Sequence, residues 1–278
     1  MKTRESKITA GKVVAVIVLL FLLFITLYPF LWMVVTAFKA ETDIVSYPPR
    51  LFNGHFGFHS FIDIWKRIPF LAYYRNTIIF ALSVSVVSLC LDTMAGYAFA
   101  RIDFKGRNVL FLLVMGTMMI PFQVIMLPLF VEVFKMKLIN TYLGLLLPRA
   151  TNAFGIFMMR SFFIGLPKGL EEAARIDGAG EFKIFYQVML PQCKSAVVSL
   201  FIFHFMGQWN DLLYPLILTT SDNMKTLPAG LATFMGTHVV EYGVIMAGAT
   251  LSILPILILY LFAQKQFVQG IAMSGIKG

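Results

Sequence analysis

Charge is scarce in this chain, so its placement carries information. Residues 171–183 hold Glu171, Glu172, Arg175, Asp177, Glu181 and Lys183, with Gly178 and Gly180 among them. A second set stands inside long apolar runs: Asp92, Gln123, Arg149, Asn152, His204, Gln208, Asn210 and Asp211. Clustered charges on a short amphipathic segment suit contact with another protein. Polar groups inside apolar runs either tie helices together or line a hydrated path. Neither set has the spacing of a hydrolytic or metal centre. His55, His59, His204 and His238 include no HExxH pattern, and the i, i+4 pair His55/His59 falls in a glycine-containing loop, where it reads as coincidence rather than a metal site. The nearest approach to a phosphate-binding loop runs from Gly270 to Gly275. There Ile276 takes the lysine position, Lys277 comes one place late and no Ser or Thr follows. The sequence therefore offers no nucleotide, metal or cofactor site of its own, and no enzyme activity is expected of it.

The elements that must hold these residues follow from composition. The chain has 278 residues, of which 13% are charged and 28 are Phe, and its mean hydropathy is +0.80. Soluble domains average about 25% charged residues. So apolar a chain is expected to be an all-α integral membrane protein, because open strands would leave backbone groups unpaired in lipid. Six windows are long enough to cross a core of about 30 Å: 13–37, 76–99, 109–132, 142–164, 196–220 and 243–263. The leader KTRESKITAGK is basic like a signal peptide, but the run behind it is too long and lacks a small-residue cleavage site, so the first window reads as a retained helix. The net charge of +9 is explained by Lys and Arg gathering in cytoplasmic loops rather than by nucleic acid. That bias places both termini inside, with the 165–192 segment on the cytoplasmic face between the fourth and fifth windows. Residues 1–12 and 265–278 are then cytoplasmic ends of a transmembrane domain over 13–264. Cys90 lies in an apolar run and Cys193 beside the charged loop, so no disulfide is expected.

Gly165 and Pro167 end the fourth window. In the segment that follows, Leu170, Ala173, Ala174 and Asp177 share a helical face, and Glu171 and Arg175 stand at i, i+4 with the acid first, an order that favours pairing. Gly178 and Gly180 break the helix, and Glu181 suits the start of a second one. Phe182, Phe185, Tyr186 and Met189 form its apolar stripe, with Pro191 after it. The expectation is two short helices joined by a bend at the membrane surface. One reading is an amphipathic linker. The other is a docking handle, with Ala173 and Ala174 admitting a partner's backbone and Glu172 offering a charge.

At 1.5 Å per residue, Arg149 and Asp211 fall in the outer half of their spans and are expected to tie helices to each other. Gln123, Asn152 and Asn210 fall near mid-depth, where a tie and a solute path are both open. Trp209 offers a ring for stacking on a sugar, although helix packing is the simpler role. Pro29, Pro121, Pro128, Pro148, Pro215 and Pro255 sit within the windows and permit kinks. Residues 221–243 form a long external connection, either a plain linker or a contact for an external protein.

Glu172-Ala173-Ala174, three residues, Gly178, nine residues and Val188-Met189-Leu190-Pro191 resemble the EAA motif of ABC importer permeases, with Val188 where Ile is usual. AGYAFARIDFKGR (95–107), MIPFQVIMLPLF (119–130), WNDLLYPLILTT (209–220) and QFVQGIAMSGIKG (266–278) resemble the carbohydrate-uptake branch of that family, most of all its maltose-type members. The resemblance implies a prokaryotic cell-membrane permease subunit that imports a sugar or oligosaccharide by alternating access. It implies ATP-binding subunits that hold ATP and Mg and grip Glu172, Ala173, Ala174, Gly178, Leu190 and Pro191. A companion permease, more readily a different chain than a copy, and an external solute-binding protein complete the set of partners, and the tail is expected to reach the ATPase. The alternative is a self-contained secondary transporter, which would need an ion-coupling site and usually internal repeats.

Overall fold

The computed structural model describes residues 10–52, 54–237 and 241–275. Its helices are α1 (Ala10–Ala37), α2 (Glu41–Ile44), α3 (His59–Arg67), α4 (Phe70–Arg101), α5 (Arg107–Thr117), α6 (Phe122–Lys135), α7 (Tyr142–Leu146) and α8 (Ala153–Ile164). After these come α9 (Gly169–Ile176), α10 (Glu181–Gln192), α11 (Lys194–Trp209), α12 (Leu213–Leu218), α13 (Leu227–Thr237) and α14 (Tyr242–Gly275). Among the described residues the only extended pairing is an isolated bridge between Lys39 and Phe56. The architecture is all-helical, as expected.

Among the described residues, three helices are long and apolar enough to cross a membrane unbroken: α1, α4 and the Tyr242–Phe262 part of α14. The other windows are interrupted. The third divides into α5 and α6, whose axes differ by 98°. The break ends at Pro121, which has no N–H to continue the ladder. The fourth is α7, a tight 3₁₀ turn over Leu147–Arg149 that contains Pro148, and then α8. The fifth stops at Trp209 and resumes at Leu213. Prolines 29, 128 and 255 lie inside continuous helices instead.

The chain forms two compact units. One contains α1 to α3 and residues 235–253. In it Ala40 N donates to the His55 carbonyl (3.1 Å) and Gly57 N to the Phe38 carbonyl (2.7 Å). Glu41 accepts from the N–H groups of Tyr242 and Gly243 at 2.9 and 3.0 Å, which satisfies two orphan donors at the start of α14. Arg67 pairs with Glu241 at 2.7 Å. His55 and His59 turn to different partners, the Asp43 carboxylate and the Lys39 carbonyl.

The other unit is built around α4, which packs most extensively on α8 and α11. Glycine makes the first contact close: a Cβ on Gly96 would stand 2.7 Å from Met159 Cβ. At the Phe70 end, Asn76 is fully buried and donates to the carbonyls of Asn223 (2.7 Å) and Lys225 (3.0 Å), while Thr77 accepts from Leu227 N (2.7 Å). The 221–243 connection is thus no plain linker over its described part: it is a strap on α4 followed by a helix. Midway, Ser88 donates to the Arg149 carbonyl (2.7 Å). Asp92, also fully buried, accepts from Thr151 Oγ1 (2.7 Å) and Asn152 N (2.9 Å) and has His204 Nε2 at 3.0 Å. At the Arg101 end lies a core of Tyr97, Met159, Phe163, Ile184, Phe185 and Met189. The residues from 265 that form the C-terminal tail continue α14 as far as Gly275, and residues 1–9 and 276–278 lie outside the described part.

Candidate functional site

The charged segment folds as two short helices with a bend, because Gly178 adopts φ +77°. Gly178 N donates to Arg175 O (3.0 Å) and Ala179 N to Ala174 O (2.9 Å), which closes α9 with a left-handed residue and satisfies its last carbonyls. No atom lies within 4 Å of a Cβ placed on Gly178, so the requirement is conformational rather than steric. A wider, π-helical turn over Ile184–Met189 carries α10 toward Pro191, and α10 meets α11 at 85°.

The segment has two faces. Glu171, Ala174, Ile184, Phe185 and Met189 are buried against the chain's own core. Glu172 and Ala173 are exposed, as are Gly178 and Pro191, while Leu190 is half-buried. Ile176, Phe182 and Tyr186 are held out at 86%, 71% and 62% exposure, which makes an apolar patch beside the Glu172 carboxylate. Two expectations change here. Ala174 is taken up internally, so only Ala173 of the alanine pair faces outward. The stripe of Phe182, Phe185, Tyr186 and Met189 splits: Phe185 and Met189 enter the core, while Phe182 and Tyr186 stay exposed.

The i, i+4 pair of Glu171 and Arg175 does not form. The Gly178 bend returns the chain so that Arg175 donates twice to Glu181 Oε1, at 3.0 and 2.8 Å. This hydrogen bond holds the guanidinium above its ordinary pKa. Glu171 turns inward to Arg101, the last residue of α4. Its carboxylate lies 3.1 Å from Nε, and both side chains are about 5% exposed. The contact is mainly Coulombic, since the Arg101 N–H groups are directed at the carbonyls of Phe163 and Leu166. One turn earlier on α4, the Tyr97 hydroxyl donates to Glu181 Oε2 at 3.2 Å. Arg101 is not among the site residues the sequence suggested. Its place at the end of an apolar run, 70 positions before a paired acid, carried no local signal.

Deeper in the molecule, Arg149 and Asp211 meet at 2.5 Å. The guanidinium also lies over Tyr214 (4.7 Å) and Phe122 (5.3 Å). Asp211 Oδ1 accepts from Tyr214 N at 3.2 Å and so helps start α12. The three helix interruptions, ending at Pro121, centred on Ala150 and beginning at Asn210, therefore gather around one charged group. Gln123, Asn152 and Asn210 are exposed in this chain. Asn152 caps α8 through Phe154 N (2.9 Å), and Asn210 donates to the Met206 carbonyl (2.9 Å). Trp209 does not join them. It is 2% exposed, stacked on Phe205 at 5.5 Å and edge-on to Tyr74 at 5.7 Å, which leaves no ring face for a solute. Among the described residues no cluster of three His, Cys, Asp or Glu has the geometry to hold a metal ion.

Known proteins resemble this chain over most of its length. The arabinooligosaccharides transport system permease protein AraQ of Halalkalibacterium halodurans is 36% identical over 93% of this chain and 94% of its own length. The trehalose/maltose transport system permease protein MalG of Thermococcus litoralis is 32% identical over 91% and 92%. A chain of a bacterial ABC transporter involved in the import of the acidic polysaccharide alginate superposes with a TM-score of 0.82 over 96% of this chain and 99% of its own. At 24% identity, that likeness is one of fold. Residues 92–273, which include the paired charges at mid-chain and the whole two-faced segment, match the description "binding-protein-dependent transport system inner membrane component". A component of that kind is a multi-pass permease that works with a separate ATPase and a solute-binding protein. The chain belongs to this family of importer permeases.

Proposed function

We propose that this permease imports a sugar or oligosaccharide, and that α9 and α10 are the handle by which its ATPase drives the membrane helices. The observation that carries this reading is the two-faced segment. One face is locked into the core around Tyr97, Arg101 and Phe163. The other presents Glu172, Ala173, Ile176, Phe182 and Tyr186 without cover, and an apolar patch of that kind beside a charge suits a protein contact. Gly178 sets the angle between the two helices, and Leu190 and Pro191 set the turn into α11. Positive charge in the loops favours a cytoplasmic location for this segment and for both termini. ATP and Mg belong to the ATPase, and the tail beyond residue 265 lies on the same side.

Irregular backbone at membrane depth is tolerated only against protein or water. The exposed interruptions beside Gln123, Asn152 and Asn210 accordingly line a hydrated path shared with a companion permease, with Arg149 and Asp211 as the tie behind it. Arabinooligosaccharides and trehalose/maltose in the names of the relatives support a saccharide. The solute-binding protein then meets the face that carries Asp222–Met224 and α13.

The test is to express the chain with the ATPase, permease and solute-binding protein encoded beside it. Co-purification and ATP-dependent uptake of arabinotriose, maltotriose and lactose into proteoliposomes are then measured. Uptake that follows an ion gradient without any ATPase bound favours a secondary transporter and overturns the proposal. The Ala173→Trp variant should lose both ATPase binding and uptake.

A further inference from the structure

We infer that Arg101 and Glu171 form the joint through which movement of the coupling segment enters α4, so that α9 and the long central helix travel as one body. The inference rests on the coupling role proposed above.

The covalent route from α9 back into the membrane is weak. It runs through Gly165, Leu166, Pro167 and Lys168, a non-helical turn that transmits a push poorly. The Arg101 side chain bridges that turn. It touches the Glu171 carboxylate in the first turn of α9, the Phe163 carbonyl at the end of α8 and the Leu166 carbonyl in the turn itself. A guanidinium suits this position because its planar fork serves several acceptors at once, which a lysine ammonium on a flexible stem does not. Burial makes the joint stiff, since separating the partners would leave two charges in an apolar surround. A buried ion pair is a weak device for stability compared with apolar packing, so its use at this point favours a positional role. Tyr97, one turn away, repeats the attachment on the second half of the segment through Glu181.

What α4 holds elsewhere gives the joint its reach. The helix is continuous for 32 residues, about 48 Å at 1.5 Å per residue. Along it, Ser88 and Asp92 grip residues 149–152, next to the Arg149–Asp211 tie, and Asn76 and Thr77 grip residues 223–227 near its far end. A displacement delivered at Arg101 therefore reaches the helix interruptions and the distant strap without crossing a flexible link. Arg101 and Glu171 are positioning residues, and the outward face of α9 remains the docking surface.

The experiment uses the whole transporter, with MgATP plus orthovanadate as the trap, so no solute is needed. Spin labels are placed at Met94→Cys on α4 and Asp177→Cys at the end of α9, both exposed positions, in a Cys90→Ser background. In the otherwise native chain the label distance should be the same with and without trapping. The double variant Arg101→Met/Glu171→Met removes both charges while filling the space. It should still co-purify with the ATPase, yet its label distance should shift by roughly 2–5 Å on trapping. A shift in the native chain, or a constant distance in the double variant, overturns the joint. Should the double variant fail to assemble, Arg101→Lys keeps the charge and loses the fork. Its trapped distance distribution should broaden, and a distribution like that of the native chain overturns the inference. Failure of the native chain itself to bind the ATPase would count instead against the coupling role of the segment.

Discussion

Arg149 and Asp211, 62 residues apart in sequence, meet at 2.5 Å where three interrupted helices converge. Arg149 ends the tight turn after α7, Asp211 lies in the gap between α11 and α12, and the Phe122 ring under the guanidinium opens α6. One ion pair thus organises backbone that has left the helical ladder. Neutralising either residue with Arg149→Gln or Asp211→Asn should lower folded yield, with a loss of about 2 kcal/mol for a charge-assisted contact. Arg149 keeps 28% side-chain exposure, which holds the effect below that of a fully buried pair. The exchange Arg149→Asp/Asp211→Arg should recover part of the yield. Thermal unfolding in detergent reads the result, and normal assembly of the single variants with poor uptake would place the pair on the solute path instead.

Gly155 is where α8 leaves room for Asp92. A Cβ at that position would stand 2.1 Å from Asp92 Oδ2. Gly155→Ala should therefore displace a buried carboxylate from Thr151 and Asn152 and cost about 1–3 kcal/mol. Gly207→Ala, where no atom lies within 4 Å of a new Cβ, serves as the control and should be near neutral. Equal unfolding temperatures for the two variants would contradict the grip of Asp92 on the start of α8.

The adjacent alanines should separate docking from folding. Ala173 is exposed and Ala174 is 9% exposed within the core around Phe163. Ala173→Trp should leave the unfolding temperature unchanged and abolish ATPase co-purification. Ala174→Trp should overpack the core and lower folded yield before docking can be asked about. Loss of binding with full stability in both variants would mean that the inner face of α9 is also a partner surface.

Trp209 is a packing residue by its geometry. Trp209→Ala should destabilise by about 3–5 kcal/mol, whereas Trp209→Phe should keep the stack on Phe205 and retain transport. Saturation of uptake with concentration of the transported saccharide reports the distinction. A weakened affinity in the Phe variant, without loss of stability, would return the ring to the solute path.

Substituting Gly178 tests the bend itself. Its φ of +77° is strained for any residue with a Cβ, so Gly178→Ala should cost about 1–2 kcal/mol. The local damage should appear as reduced ATPase binding, because the angle between α9 and α10 changes. Gly180→Ala, at an ordinary extended φ of −73°, should bind normally.

The sequence by itself determined the solvent in which this chain folds, its helical class and the existence of the bent charged segment. Apolar composition excludes water-soluble packing, lipid excludes unpaired strands, and the glycines at 178 and 180 between two amphipathic stretches leave few alternatives to a bend. Arg149 and Asp211 were candidate partners in the sequence because a lone charge within an apolar run is costly. What only the tertiary structure decided was which charge meets which, and which side of a short helix is inside. Glu171 and Arg175 had the spacing to pair. Arg101 and Glu181 won them because Gly178 reverses the chain and α4 ends beside α9, relationships between residues as much as 70 positions apart. The same holds for Ala174, Phe182 and Trp209. Helical periodicity assigns residues to a face, but only the neighbouring helices decide whether that face is core, surface or path.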